Sequence, residues 1–282
     1  MTRGIYIMAN DSVIENAVAL LNSIRCYDAE VPIMMVPYDN RCHKIEKLLA
    51  DRYGVQLFCD RALLDRISDK VTTIFGPDVF VNPNQLRKQA CWFGPFDEFL
   101  YLDTDIVVFE KIIDNLVHLG THDFVCCDYQ FRNGIKYVFL PSIVEERIFN
   151  EEDLRRVFNA GFWGSKKGLI SEESLFKYFS ECAEKLKYFD FSTQVSDMPV
   201  FNYLVLAHIR DSFNIAQSLP KPAGEWAGCK HFIHQGHDKL IDPNVNRPLK
   251  YLHWAGIKIQ PGCPYYDIWK HYRDLVLRNK EK

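Results

Sequence analysis

No apolar run in this 282-residue chain approaches the length of a membrane-spanning helix, which excludes a helical span. It shows no internal repeat and no low-complexity tract, so solenoid, fibrous and disordered classes are set aside. Paired cysteines are also missing. The nine cysteines are odd in number and scattered, with no Cys-x-x-Cys spacing, a pattern of reduced thiols rather than a disulfide framework. With no signal-peptide pattern in the early strand-like run Gly4 to Met8, the expected location is cytoplasmic. Charge excess is absent as well. A formal net charge of −3 gives no global pull toward nucleic acid or an anionic membrane, so any anion must be held locally.

A 48% hydrophobic and 25% charged composition is that of a globular chain long enough to bury a large core. Strand-like Gly4 to Met8 stops at Ala9-Asn10-Asp11-Ser12, after which apolar residues recur at helical spacing from Val13 to Ile24, with Asp11 or Ser12 as N-cap. Val31 to Val36 and Val55 to Cys59 read as further strands flanking a helix over 43–53. A helix over 83–93 leads into a central strand, 99–102, and 123–127 and 157–164 read as strands. Residues 133–150 form an aromatic-rich excursion; 172–187, 198–207 and 265–278 read as helices. Alternating strands and helices predict an α/β fold with a mostly parallel sheet, and ligands at the carboxyl ends of its strands. The segment 218–246, dense in Pro, Gly and His, reads as a long loop and candidate lid.

Within the apolar run Tyr101 to Phe109 stand two carboxylates, Asp103 and Asp105. Strand alternation would send both to one face, where they repel unless a cation intervenes. A divalent metal is the simplest remedy, with open coordination positions for phosphate oxygens. The plainer alternative is a strand end followed by a turn cap, since Asp is common at both.

Ala9-Asn10-Asp11, Lys88, Leu102-Asp103-Thr104-Asp105, Asn159-Ala160-Gly161 and His253-Trp254-Ala255-Gly256-Ile257-Lys258 occur in that order. Together they resemble the GT-A glycosyltransferases, and within them family 8, which includes glycogenin and bacterial galactosyltransferases. The resemblance implies a Rossmann-like GT-A fold over 1–282, with a nucleotide-binding half at 1–110 and an acceptor-side half at 111–282 that carries the C-terminal helix. It implies Mn²⁺ or Mg²⁺ on Asp103, Asp105 and His253. Lys88, Gly256 and Lys258 would hold the diphosphate, with Arg87 a second choice to Lys88 and one of that pair a solvated surface charge. Asn10 and Asp11 would meet the nucleoside, and Asp128, Asn159 with Gly161, and Asp197 the sugar. Asp197, Asp128 and Lys88 are the candidate catalytic residues. The implied activity is transfer of a hexosyl unit, with retention, from a nucleotide sugar, a UDP-sugar by resemblance, to an unidentified hydroxyl acceptor.

Two departures stand out. Asp197-Met198-Pro199-Val200-Phe201-Asn202 keeps the family's Asp and Asn but has Met198 where Gln is expected, and one residue is missing between His253 and Lys258. A thioether cannot hydrogen-bond as the amide does. Three rival readings remain: a sugar-phosphate nucleotidyltransferase, whose Gly-rich basic loop is missing after the first strand; a non-catalytic nucleotide-sugar-binding protein; and a zinc site from Cys229, His231, His234 and His237.

Overall fold

The computed structural model describes residues 1–80, 82–192, 195–209 and 211–276. The chain opens with strand β1 (Arg3–Ala9), helix α1 (Ile14–Tyr27), β2 (Ile33–Pro37), α2 (His43–Tyr53), β3 (Gln56–Leu57) and α3 (Arg61–Phe75). Next come β4 (Glu98–Leu102), β5 (Ile106–Val108), β6 (Phe124–Cys126), three short helices α4 (Gln130–Asn133), α5 (Ser142–Glu145) and α6 (Glu151–Leu154), and β7 (Phe162–Lys166). The remainder holds α7 (Glu172–Glu184), α8 (Met198–His208), β8 (Ser212–Asn214), α9 (Ile215–Ser218), β9 (Ile233–His234), β10 (Leu240–Asp242), β11 (Arg247–Pro248), β12 (Tyr251–His253) and α10 (Tyr266–Asp274).

Seven strands form one sheet in the order β3-β2-β1-β4-β7-β6-β8. β3, β2, β1 and β4 run parallel, β7 is reversed against both β4 and β6, and β8 is parallel to β6. Parallel strands covered on both faces need unbroken apolar runs, and Ile-Met-Met-Val-Pro in β2 and Glu-Phe-Leu-Tyr-Leu in β4 are buried throughout. Glu98 is tolerated there because Arg3 Nη2 lies 2.8 Å from its Oε2.

Strand alternation divides the core. Tyr6, Phe99 and Tyr101 face one cluster with Trp92, Trp163 and Phe201, whereas Ile5, Ile7, Leu100 and Leu102 face another with Leu20, Leu21 and Ile24 of α1. A third cluster joins Val107 and Phe109 to Phe232, Leu240, Leu252, Trp254 and the α10 residues Ile268, Trp269 and Tyr272. That cluster is clamped to α1 by Asn22, whose Nδ2 donates to Tyr272 O at 2.6 Å.

Several local readings need correction. Neither Asp11 nor Ser12 caps the first helix: Asn10 caps the short turn Asp11–Val13 by accepting from Ser12 N, and Asp11 Oδ1 instead accepts from Lys44 N and Ile45 N at the start of α2. Residues Pro83–Phe93 are 3-10 rather than α-helical. The strand read at 157–164 begins at Phe162, because Phe158 is held by Asn202 of α8, which accepts from Phe158 N at 2.9 Å and donates to Phe158 O at 2.8 Å. Helix α7 stops at Glu184, and α10 at Asp274, with 277–278 of the expected helix outside the described residues. The stretch 218–246 is not structureless. It contributes β9 and β10 to a small antiparallel sheet with β11, and supplies Ala227, Phe232 and Leu240 to the third cluster.

Candidate active site

β4 ends at Leu102 and β5 begins at Ile106, so Asp103, Thr104 and Asp105 form a turn rather than a strand. The strand-alternation argument for the two aspartates therefore fails, yet they still converge. β12 pairs antiparallel with β5, His253 opposite Ile106, and Trp254 N donates to Asp105 O at 3.0 Å. This register brings His253 Nε2 to 3.2 Å from Asp105 Oδ1. Ligand atoms of Asp103, Asp105 and His253 all lie within 4.8 Å of one another, and no other group of three such residues does so among those described.

Burial alone would discharge His253, but Asp105 and Asp103 outweigh it and raise its pKa. Burial likewise works against the Asp105 carboxylate, and His253 more than compensates, lowering it. Two hard carboxylate oxygens and one imidazole nitrogen are a donor set that suits Mn²⁺ or Mg²⁺. The site also fits a metal sterically. A Cβ on Gly161 would stand 2.4 Å from His253 Cε1 and 3.0 Å from Asp103 Oδ2, so only glycine lets these side chains gather there. Gly164, further along β7, is required by close approach to Phe99 O, 2.7 Å from its Cβ position.

Lys88 reaches this site from the 3-10 segment and is 4% exposed. Its Nζ lies 3.0 Å from Asp197 Oδ2, 3.5 Å from Asp103 Oδ1 and 5.0 Å from the centre of the Tyr101 ring, and Tyr101 Oη donates to Asp103 Oδ1 at 2.7 Å. Burial opposes its charge, but Asp103 and Asp197 overcome this and raise its pKa, keeping it protonated. Arg87 is buried too. It pairs with Asp65 at 2.9 Å and donates to Ser68 Oγ at 2.7 Å, so neither member of the Arg87–Lys88 pair is a solvated surface charge.

The remaining sequence-derived residues differ in how free they are. Asn10 is committed at both ends, accepting from Ser12 N and donating to Asp39 Oδ2 at 3.0 Å. Asn159 Oδ1 accepts from Gly161 N at 2.9 Å, fixing the turn that aims Gly161 at His253. Gly256 takes φ +70, and Lys258 is exposed with no ion-pair partner among the described residues. Met198 starts α8, half-buried, with its carbonyl accepting from Asn202 Nδ2 at 3.0 Å.

The zinc alternative does not assemble. His231 pairs with Asp242 at 3.2 Å, His234 with Asp267 at 3.4 Å, and these residues do not gather with Cys229 into a ligand set.

Sequence reasoning missed Glu225. Its Oε1 accepts from Tyr129 N at 2.9 Å, its carbonyl accepts from His253 N at 2.7 Å, and its Oε2 is buried without a hydrogen-bond partner. Asp128 stands beside it, 2% exposed, with Oδ1 accepting from Gln130 N at 2.8 Å and Oδ2 likewise unpartnered. Burial raises the Asp128 carboxyl, against the Gln130 and Asn159 main-chain amides and the Cys126 thiol, which draw it down. Burial prevails and pushes it up to about 7. Burial and the charge of Asp128 push Glu225 up to about 8. A lone Glu inside a stretch read as loop carried no pattern by which to find it.

No family model matches the chain, and no curated protein matches it by sequence. Solved structures do. The apo WbbM bifunctional glycosyltransferase superposes on 97% of the chain with TM-score 0.64 at 14% identity, and this chain spans 50% of its length. The galactosyltransferase LgtC, solved with donor and acceptor sugar analogues, matches over 98% of both chains with TM-score 0.62 and 14% identity. Mouse xyloside xylosyltransferase 1 in its apo form matches 76% of this chain and 85% of its own, with TM-score 0.54 and 12% identity. The chain has the GT-A glycosyltransferase fold, with a mostly parallel central sheet and an Asp-Asp-His group that suits a metal. No described helix is long and apolar enough to cross a membrane.

Proposed function

We propose that this chain is a metal-dependent glycosyltransferase that moves a hexosyl unit from a nucleotide sugar, a UDP-sugar, to an acceptor hydroxyl with retention of configuration. The observation that carries the reading is the convergence of Asp103, Asp105 and His253 beyond the carboxyl end of β4, beside a buried protonated Lys88. The fold shared with LgtC and WbbM supports it.

Asp103, Asp105 and His253 would hold Mn²⁺ or Mg²⁺, which when bound supplies positive charge to a diphosphate leaving group. Lys88 adds a second, permanently charged group, and its two carboxylate partners hold its position so that no side chain need reorganise during transfer. Gly256 and Lys258 would complete the phosphate contacts, Lys258 being free to swing toward an anion. Asn10 and Asp11 would line the nucleoside; because the Asn10 side chain is spent within the fold, its contribution is to shape the loop. Asp128, Asn159 with Gly161, and Asp197 would face the sugar.

Met198 offers no oxygen at the head of α8. Retention would then proceed by front-face attack, with the departing phosphate taking the acceptor proton and Asp197 stabilising positive charge on the sugar. The 1–110 half would bind the nucleotide and the 111–282 half the acceptor, with β12 crossing back to deliver His253 to β5. The test is a thermal-shift and turnover screen of UDP- and GDP-sugars with and without Mn²⁺, the product anomer followed by NMR. Equal donor affinity in excess chelator overturns the metal dependence, and an inverted first product overturns the stereochemical assignment.

A further inference from the structure

We propose that Glu225 and Asp128 form a paired acceptor for the hydroxyl groups of a sugar, and that Glu225 is thereby a residue that sets sugar affinity at this site. The proposal rests on the glycosyltransferase reading and extends it to a residue outside the motif set.

Both carboxylates are aimed by one short stretch of chain. Asp128 Oδ1 accepts from Gln130 N and Glu225 Oε1 from Tyr129 N, so consecutive amides each anchor one oxygen and leave the second oriented. Those second oxygens, Asp128 Oδ2 and Glu225 Oε2, are buried and unpartnered. A buried polar oxygen without a partner costs about 1–3 kcal/mol, and a carboxyl that keeps its proton both donates and accepts, so the two open oxygens meet ligand hydroxyls in either role.

The chemistry of the missing donor is narrowed by the surroundings. No Lys, Arg or His forms an ion pair with either carboxylate among the described residues, and the charge of His253, paired with Asp105, draws both down without outweighing their burial. The structure thus supplies no permanent countercharge for this pair, whereas it supplies Lys88 for Asp103 and Asp197. Neutral O–H donors meet the demand without a countercharge, and a carboxylate oxygen accepts from one or two of them. The pair is also locked to the proposed metal strand. Glu225 O accepts from His253 N at 2.7 Å and Ala227 N donates to His253 O at 2.9 Å, which sets Trp226 in a parallel bridge with His253 and fixes the Glu225 main chain beside β12. A polyol bound there lies next to the proposed metal site. The hydroxyls belong either to the donor's hexosyl group or to the acceptor glycan, two sources of one chemistry.

The experiment measures four affinities by calorimetry with Mg²⁺ on wild type, Glu225→Gln and Glu225→Ala: UDP, UDP-glucose, UDP-galactose, and methyl glycosides added to the UDP complex. Glu225→Gln retains an oxygen for Tyr129 N, and a native circular dichroism spectrum with a cooperative melt identifies it as folded. The expected result is at least a tenfold loss, in both variants, of either the UDP-hexose gain over UDP (donor source) or methyl glycoside affinity (acceptor source). UDP affinity itself stays within twofold. A sugar-dependent gain that survives both substitutions overturns the proposal, as does an equal loss for UDP, which makes Glu225 a support for His253 instead. Wild type that binds UDP but gains nothing from any sugar overturns the pair's role alone. Wild type that binds no UDP overturns the UDP-sugar reading, and the Glu225 assignment falls with it.

Discussion

His253 stands between two sets of carboxylates that the fold treats in opposite ways. On one side Asp103, Asp105 and Asp197 are met by cations built into the chain, with Lys88 against Asp103 and Asp197 and His253 against Asp105. On the other side Asp128 and Glu225 each accept from a main-chain amide at one oxygen and have no ion-pair partner among the described residues. On the proposed reading Asp103 and Asp105 of the first set meet a charged ligand, a metal diphosphate, and Asp197 the sugar beside it. The second keeps open acceptors and suits a neutral ligand rich in hydroxyls. Placement of charge, more than its amount, distinguishes the two sets in a molecule whose net charge is only −3.

The sharpest way to break this comparison is to remove the metal carboxylates. Asp103→Ala or Asp105→Ala is expected to lower transfer by about 10³-fold or more while circular dichroism stays native, because the charge opposing the leaving diphosphate is lost. Metal-dependent donor binding that persists in either variant would erase the distinction between the two sets.

Lys88→Met is next in size. Removing the one cation between Asp197 and Asp103 strands buried carboxylates, and urea unfolding of the metal-free protein should show a loss of about 3 kcal/mol, the low end for a buried pair because Asp103 is partly exposed. A loss under 1 kcal/mol would mean the cation is not what balances this set.

Mn²⁺ at about 100 times its dissociation constant should stabilise the wild type by roughly 2.7 kcal/mol, read as a rise in melting temperature. The same titration on an Asp103→Asn, Asp105→Asn double variant should give no rise. An undiminished rise would put the ion elsewhere.

The second set predicts a pH dependence of the empty protein. Asp128 at about 7 and Glu225 at about 8 both bind protons more tightly folded than unfolded, where ordinary carboxyl values near 4 apply. Their contribution is therefore full below pH 4 and is lost as pH rises toward 8. Melting temperature should fall between pH 5 and pH 8, and Glu225→Gln should flatten that slope. A slope unchanged in the variant would place its origin in other groups.

Met198→Gln should do least. The side chain is half-buried at the first turn of α8 and the swap nearly conserves volume, so stability should move by less than about 1 kcal/mol and turnover only modestly. A large rise in turnover would show that the missing amide limits this chain.

Much of the architecture could be read directly because its signals are local. The apolar runs of β1, β2 and β4 and the helical periodicity of α1 and α2 each depend on a few consecutive residues, and parallel strands covered on both faces have no other way to be written. The site was legible in part. Asp103 and Asp105 stand out by residue type and spacing, His253 and Lys88 by the family resemblance, and the fold gathers all four through a turn and a strand pairing in place of strand alternation. The stretch 218–246 read poorly, since its strands are two or three residues long and pair through turns rich in Gly and His.

By itself, then, the sequence determined the α/β order, the parallel core and the chemical identity of the groups at the strand ends, because hydrophobic pattern and residue type are properties of neighbouring positions. Tertiary structure alone decided which of those groups meet. It brought His253 across roughly 150 residues of chain to Asp105, required glycine at 161 to make room, and set Glu225 against Asp128. Such encounters depend on strand register and on close approach between distant segments, and no short window of sequence encodes either one.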